Sequence, residues 1–354
     1  MSFVHDVDYL IVGQGLAGSM VACLLEMQGK NVLLIDNANR TAASLAAAGI
    51  MNPITGKRLN RPHLVDQLLE VAFDAYPRVE RFLGSPIFER RNVLRLLKSE
   101  DETKQWKLRL ASGQYAKYLG SAPVRDADYI ENRHGGFEIA QAGLLDVPGF
   151  VRKTRERFFS ANKLIESNFE YGELRPSKDQ VRWGNYTAKA VIFCEGYQMV
   201  HNPFFNSIAL NPAKGEVLTV RADRFADERI IQHEKWVLRT ITGEIKAGTT
   251  YTWDKLDEKP SPEARCEIER SLRSFVRFDF EVTHQAAGVR PVIKADNRPI
   301  VGVHPLKTRI AILNGLGSKG VLQAPFAARQ LIAYLEAGEP IHPDFDVCRK
   351  SLWK

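Results

Sequence analysis

Two glycine-rich runs at opposite ends of the chain carry residues that could do chemistry. The first is Gly13-Gln-Gly15-Leu16-Ala17-Gly18, with Asp36 eighteen residues on. Glycines at G-x-G-x-x-G spacing bind a pyrophosphate. Gly13 makes the tight turn, Gly15 lets backbone approach the phosphates, and Gly18 lets a helix pack on a strand. The helix N-terminus adds unsatisfied N–H groups and the positive end of a dipole. A carboxylate such as Asp36 suits the ribose hydroxyls of an AMP half. The second run is Gly315-Leu-Gly317-Ser318-Lys319-Gly320, again between an apolar run and a helical one. One such loop serves a nicotinamide dinucleotide. A flavin benefits from two, the second facing the charge that develops at N1 and O2 when its ring is reduced. The first unit alone does not separate the two cofactors.

These runs need elements to position them. Residues 9–12 and 31–35 read as buried parallel strands flanking a helix over 19–28. Residues 41–53 are small and nearly uncharged, with Ser44, Ala47 and Gly49 able to lie against a phosphorylated ligand or to form an ordinary Ala-rich helix. An amphipathic helix follows over 62–82. Short alternating stretches at 92–97 and 128–130 predict strands around a charged helix at 100–111. A helix is expected from Gly143 through Val147 to Ser160, then strands at 163–169, 180–183 and 188–194, the last ending at Glu195-Gly196. Alternation at 215–220, 234–239 and 244–250 predicts an antiparallel sheet, followed by a helix at 261–275. A strand at 309–314 and a helix at 324–336 bracket the second glycine loop.

At 354 residues, with 44% hydrophobic and 26% charged residues, the composition is that of a globular chain of two domains. No apolar run approaches a membrane span. The chain enters its first strand almost at once, with Asp6 and Asp8 beside it, which predicts a cytoplasmic protein without a signal peptide. Cys23, Cys194, Cys266 and Cys348 show neither metal nor redox spacing, so no metal site is expected. The net charge of +7 fits either an anionic partner or a merely basic surface. Residues 78–117 concentrate bases and are the best stretch for a polyanion, though a solvated face reads equally well.

Taken with Ser44-Leu-Ala-Ala-Ala-Gly49, Gly288-Val-Arg290-Pro291 and the turn at 296–302, the two glycine runs resemble the D-amino-acid oxidase superfamily of flavoproteins, and within it glycine oxidase and its relatives. The resemblance spans nearly the whole chain. It implies FAD and an α/β fold. A Rossmann-like FAD-binding domain with a parallel sheet would comprise 1–82, 141–205 and 285–354. An α+β substrate domain on a mixed or antiparallel sheet would comprise 83–140 and 206–284. It places Gly13, Gly15, Gly18 and Asp36 at the AMP and pyrophosphate, with Leu16, Ala17 and Asn37 beside them. Ser44, Ala47 and Gly49 would follow the pyrophosphate and ribityl chain, with Gly196 also at the cofactor. Gly315, Gly317, Ser318, Lys319 and Gly320 would lie at the pyrimidine edge. Arg290 matches the arginine that binds a substrate carboxylate, and Trp236 falls near an active-site tyrosine of glycine oxidase. The implied reaction is oxidation of a CH–NH bond in an amino acid or secondary amine bearing a carboxylate, with Arg290, Trp236 and Lys319 as catalytic residues. Relatives that bind FAD covalently use a cysteine just after the Arg290 position. Val292 and Ile293 stand here, so the FAD is expected to be non-covalent.

Residues 314–325 are also similar to the flavin domain of the bifunctional enzyme that matures the tRNA wobble uridine. That similarity offers an alternative substrate with the same carboxymethylamine chemistry, for which residues 78–117 would contact tRNA phosphates.

Overall fold

Alternate residues of the first strand, His5–Val12, enter two different cores. Tyr9 and Ile11 join one apolar cluster, Leu10 and Val12 the other. A strand buried on both faces belongs in the middle of a parallel sheet covered by helices. The chain is described by a computed structural model for residues 5–38, 43–56, 58–121 and 129–353. In it the strands run in the order 300–304, 307–314, 186–193, 5–12, 32–35 and 164–165. All neighbours on this path are parallel except the terminal pair Ile300–His304 and Lys307–Asn314. Helices Leu16–Met27, Val65–Leu83, Val147–Ser160 and Gly320–Ala337 contribute to the first cluster.

A second sheet of seven strands runs in the order 281–290, 213–221, 245–248, 236–239, 230–232, 93–96 and 136–139. It is antiparallel except where Ile230–Gln232 meets Val93–Leu96. Helix Pro262–Arg273 covers one face. Ser261 caps that helix, accepting from the Ala264 amide at 3.3 Å. A small sheet of 50–51, 143–145 and 88–90 completes the architecture. The mixed α/β class expected from sequence is the one observed, and its two larger sheets match the parallel and mainly antiparallel sheets expected. Among the described residues no helix is long and apolar enough to cross a membrane.

Some elements differ from their expected bounds. The first helix begins at Leu16 because Gly15 already serves as its N-cap, so Gly18 lies within the first turn. The last helix begins at Gly320, four residues before its expected start, and includes Pro325. Pro325 has no N–H for the Val321 carbonyl. The Tyr76 hydroxyl donates to that carbonyl instead, at 2.5 Å. The strand expected at 163–169 narrows to Leu164–Ile165. The helix expected from Gly143 starts only at Val147, because Gly143–Leu145 pairs as a strand and Asp146 caps the helix. Thr41, Lys57 and Asp128 lie outside the described residues. Of the strand expected at 128–130, Ile130 makes only an isolated bridge to Val276.

Candidate functional site

The C-terminal ends of strands His5–Val12, Val32–Ile35 and Tyr186–Phe193 converge where the G-x-G-x-x-G turn leaves the sheet. Gly13 has φ +90°, and a Cβ there would sit 2.6 Å from the Cys194 carbonyl. A Cβ on Gly18 would sit 1.9 Å from the Gly13 carbonyl, so helix and turn meet backbone to backbone. Asp36 accepts from the Gln14 amide at 2.8 Å, from the Ala38 amide at 2.8 Å and from Arg155 Nη1 at 3.0 Å. Ser44 Oγ accepts from the Leu16 amide at 3.0 Å, meeting one of the donors the helix end leaves unsatisfied.

One cavity of about 830 Å³ joins this turn to the antiparallel sheet. Gly13, Gly15, Leu16, Ala17, Asp36, Asn37, Ser44, Ala47, Gly49 and Gly196 line it, as do Gly317, Ser318, Lys319, Gly320, Trp236 and Arg290. Of the residues singled out by sequence, Gly18 and Gly315 lie off the wall. Gly18 is the packing glycine, and a Cβ on Gly315 would meet the Ile293 side chain at 2.6 Å.

At the antiparallel end, Arg290 closes the strand Glu281–Arg290, beside Ala213 in the register. Its guanidinium lies flat on Gly215, where a Cβ would come within 2.0 Å of Nη2 and 2.3 Å of Cζ. Nη2 donates to Thr249 Oγ1 at 2.9 Å and Nη1 to the Thr250 carbonyl at 3.4 Å. The Tyr251 ring stacks over it, 4.4 Å from Cζ to the centroid. Among the described residues no carboxylate pairs with it. Burial draws its pKa below the ordinary value, yet a guanidinium stays charged in a protein. The group is therefore a fixed positive charge, held by neutral partners and facing a cavity.

Lys319, the N-cap of the last helix, is a second cation on the wall. Burial lowers its pKa as well. Glu195 is a half-buried carboxyl on the same wall, pushed up to about 6 by desolvation. It accepts from Asn202 Nδ2 at 2.6 Å and from the Tyr171 hydroxyl. Trp236 begins the strand Trp236–Arg239 and packs at Gly248. Near it Gln232 Oε1 accepts from Asn52 Nδ2 at 3.1 Å.

The sequence reading missed Gly215, Thr249, Tyr251, Gln232 and Arg155. Gly215 alone left a signal, a glycine at the head of an alternating run. The bases at 78–117 are largely engaged nearby. Arg95 is buried, Arg78 pairs with Asp74, Arg91 with Glu89, Lys104 with Asp101 and Lys117 with Asp66. Arg90 stacks on Phe73 at 3.9 Å. Together they lend no support to a tRNA-binding face.

Fold and cavity are those of a flavoprotein, and the chain belongs to the DAO family of FAD-dependent oxidoreductases, whose model matches residues 8–335. It is 23% identical over 369 residues to glycine oxidase of Bacillus subtilis (strain 168), covering 96% of this chain and 95% of that protein. Among solved structures, glycine oxidase from Bacillus cereus ATCC 14579 superposes with a TM-score of 0.81 at 19% identity, covering 98% of both chains. Iminodiacetate oxidase from Chelativorans sp. BNC1 superposes with a TM-score of 0.77 at 18% identity, covering 94% of this chain and 96% of that one.

The cofactor is FAD, and the residues present fit it. A cavity of about 830 Å³ lies within the range of ligand sites. Its glycine turn and helix N-terminus suit a pyrophosphate. A cation and a second helix N-terminus suit a ring that gains negative charge. Thus the enzyme is an FAD-dependent oxidoreductase.

Proposed function

We propose that this enzyme oxidises the CH–NH bond of a small amino acid or secondary amine, holding the substrate carboxylate on Arg290. The observation that carries this reading is Arg290 itself, a cation in the cavity wall with no acidic partner among the described residues. Guanidinium and carboxylate pair in a two-pronged, charge-assisted fork. Glycine and iminodiacetate, the compounds named in two of the relatives, each carry a carboxylate one carbon from an amine.

The residues then take roles by position. Gly13, Gly15, Leu16, Ala17 and Ser44 hold the pyrophosphate, with Gly18 packed beneath. Asp36 and Asn37 receive the ribose, and Ala47, Gly49 and Gly196 follow the ribityl chain. Lys319, with Gly315, Gly317, Ser318 and Gly320 shaping its loop, stabilises negative charge at the pyrimidine edge. The chemistry FAD supplies when bound is acceptance of a hydride at N5 from the carbon bearing nitrogen. Arg290 fixes the carboxylate, and with it the reacting C–H. Trp236 walls the substrate against the sheet and limits water there. A substrate amine that arrives neutral needs no general base, and the imine product hydrolyses in water. FAD is held without a covalent bond, Val292 and Ile293 following Arg290-Pro291. The cofactor unit spans 1–82, 141–205 and 285–354, and the substrate unit spans 83–140 and 206–284, with strand Glu281–Arg290 at their seam.

The test is anaerobic. Purified enzyme is mixed with a pool of amino acids and secondary amines while its flavin absorbance is followed. Bleaching is expected, and subdividing the pool identifies the substrate. Arg290→Ala should raise KM for that substrate strongly while the protein stays yellow. Kinetics unchanged by Arg290→Ala would remove the carboxylate role. Acid precipitation should release the flavin into the supernatant.

A further inference from the structure

The tripeptide Lys214-Gly215-Glu216 sits in the strand Ala213–Arg221, and successive side chains of a strand face opposite ways. At Gly215 the strand presents bare backbone to the cavity and to the Arg290 guanidinium. Lys214 and Glu216 point to the other face. They are 3% and 2% exposed, an unusual depth for two ionisable residues.

Both side chains grip one segment, residues 249–261. Lys214 Nζ donates to Asp257 Oδ1 at 2.5 Å and to the Lys259 carbonyl, and lies 3.4 Å from Glu216 Oε1. Glu216 accepts from the Ser261 amide at 2.8 Å, from Ser261 Oγ at 2.7 Å and from Gln285 Nε2 at 2.7 Å. Their backbones grip the same segment. The Lys214 amide donates to the Thr252 carbonyl at 2.8 Å, and the Thr252 amide returns a bond at 3.0 Å. The Glu216 amide donates to Thr250 Oγ1 at 3.0 Å, and Thr249 Oγ1 donates to the Glu216 carbonyl at 3.0 Å.

The near end of that segment frames Arg290. Thr249 Oγ1, the Thr250 carbonyl and the Tyr251 ring supply its two hydrogen bonds and its stacking face. One strand thus offers the floor on which the guanidinium rests, and from its reverse face ties down the strap that aims it.

We propose that Lys214 and Glu216 are positioning residues for the carboxylate pocket. They hold residues 249–261 in one conformation, so that Thr249 and Tyr251 keep Arg290 oriented toward substrate. This rests on Arg290 being the carboxylate anchor. Neither residue touches the reacting atoms. Their loss weakens binding while leaving the oxidation step largely as it was, which appears as a raised KM with little change in kcat.

The experiment uses the holoenzyme with Lys214→Met, Lys214→Arg and Asp257→Asn. Trypsin cleavage after Lys255, which is exposed and followed by Leu256, reports the strap directly and independently of turnover. For Lys214→Met, cleavage and KM should each rise about tenfold, with kcat within about threefold of wild type. Lys214→Arg should recover most of the loss. Asp257 is half exposed, so Asp257→Asn loosens the outer tie with little risk to folding, and should move cleavage and KM the same way by a smaller factor. If Lys214→Met does not fold, Asp257→Asn decides. Wild-type cleavage and KM in whichever variant folds would overturn the proposal. Faster cleavage with an unmoved KM overturns the positioning role if Arg290→Ala raises KM. If Arg290→Ala does not raise KM, the same result overturns the carboxylate reading beneath it.

Discussion

Replacing Gly215 by alanine should impair substrate binding while sparing the fold. The new Cβ would lie 2.0 Å from Arg290 Nη2, 2.2 Å from Nη1 and 2.3 Å from Cζ, none of which is tolerable. All three atoms belong to the far end of a flexible side chain. The protein can therefore accommodate the methyl group by moving the guanidinium, without shifting backbone. That movement breaks the 2.9 Å bond to Thr249 Oγ1 and the stack on Tyr251. It also takes the fork away from the substrate carboxylate. Hydrogen bonds to charged groups are worth about 1.5–3 kcal/mol. Losing that much corresponds to a weakening on the order of 10- to 150-fold. The assay is titration of the oxidised holoenzyme with a simple carboxylate such as propionate, read from the perturbed flavin spectrum. Stopped-flow reduction by the identified substrate gives the second reading. A folded, yellow Gly215→Ala enzyme that binds carboxylate as tightly as wild type would refute the reasoning, because the guanidinium could not then be where ligand meets it.

Gly18→Ala sets a Cβ 1.9 Å from a backbone carbonyl, which cannot move aside cheaply, so stability should fall by about 1–3 kcal/mol and FAD should be lost. Thermal melting and flavin content check this. Glu195 should make the enzyme less stable as pH rises between about 4.5 and 6. Its folded pKa of about 6 lies above the ordinary 4.5, so the native state binds the extra proton in that window. The loss is about 2 kcal/mol, and urea unfolding across the window should show it in wild type and not in Glu195→Gln. Lys319→Met removes a positive charge from the wall and should lower the flavin midpoint potential, by about 30 mV for each 1.4 kcal/mol of lost preference for the reduced ring. Dye-coupled reduction measures it, and an unchanged potential would separate Lys319 from the ring.

Features legible in the sequence were local. The strand–turn–helix around Gly13 announces itself because three glycines, two apolar runs and an acid fall within thirty residues. The same holds for the loop at 315–320. Arg290 could be placed by resemblance, but its setting could not. Gly215 lies 75 residues before it and Thr249 about 40, and only the antiparallel register of three strands brings them together. Arg155 reaches Asp36 from the helix Val147–Ser160, a contact with no sequence periodicity behind it. The early start of the last helix was illegible for a related reason. A proline at 325 argues locally for a later start, and a hydroxyl from residue 76 answers the carbonyl it strands.

The order of strands in the larger sheet has a consequence for how the chain is made. Of this sheet's strands the earliest in the chain, His5–Val12, waits for a partner that begins at Tyr186, and that partner waits for Lys307–Asn314. At 5–20 residues per second the first wait alone is roughly ten to thirty seconds. Throughout it the nascent chain displays a strand apolar on both faces with one edge unpaired, a template for mispairing. Cofactor cannot shorten the interval, because its far wall, from Gly317 to Gly320, is translated after every strand of that sheet. FAD therefore acts on this protein as a ligand of the finished chain, and flavin supply should govern its survival after release more than its early folding.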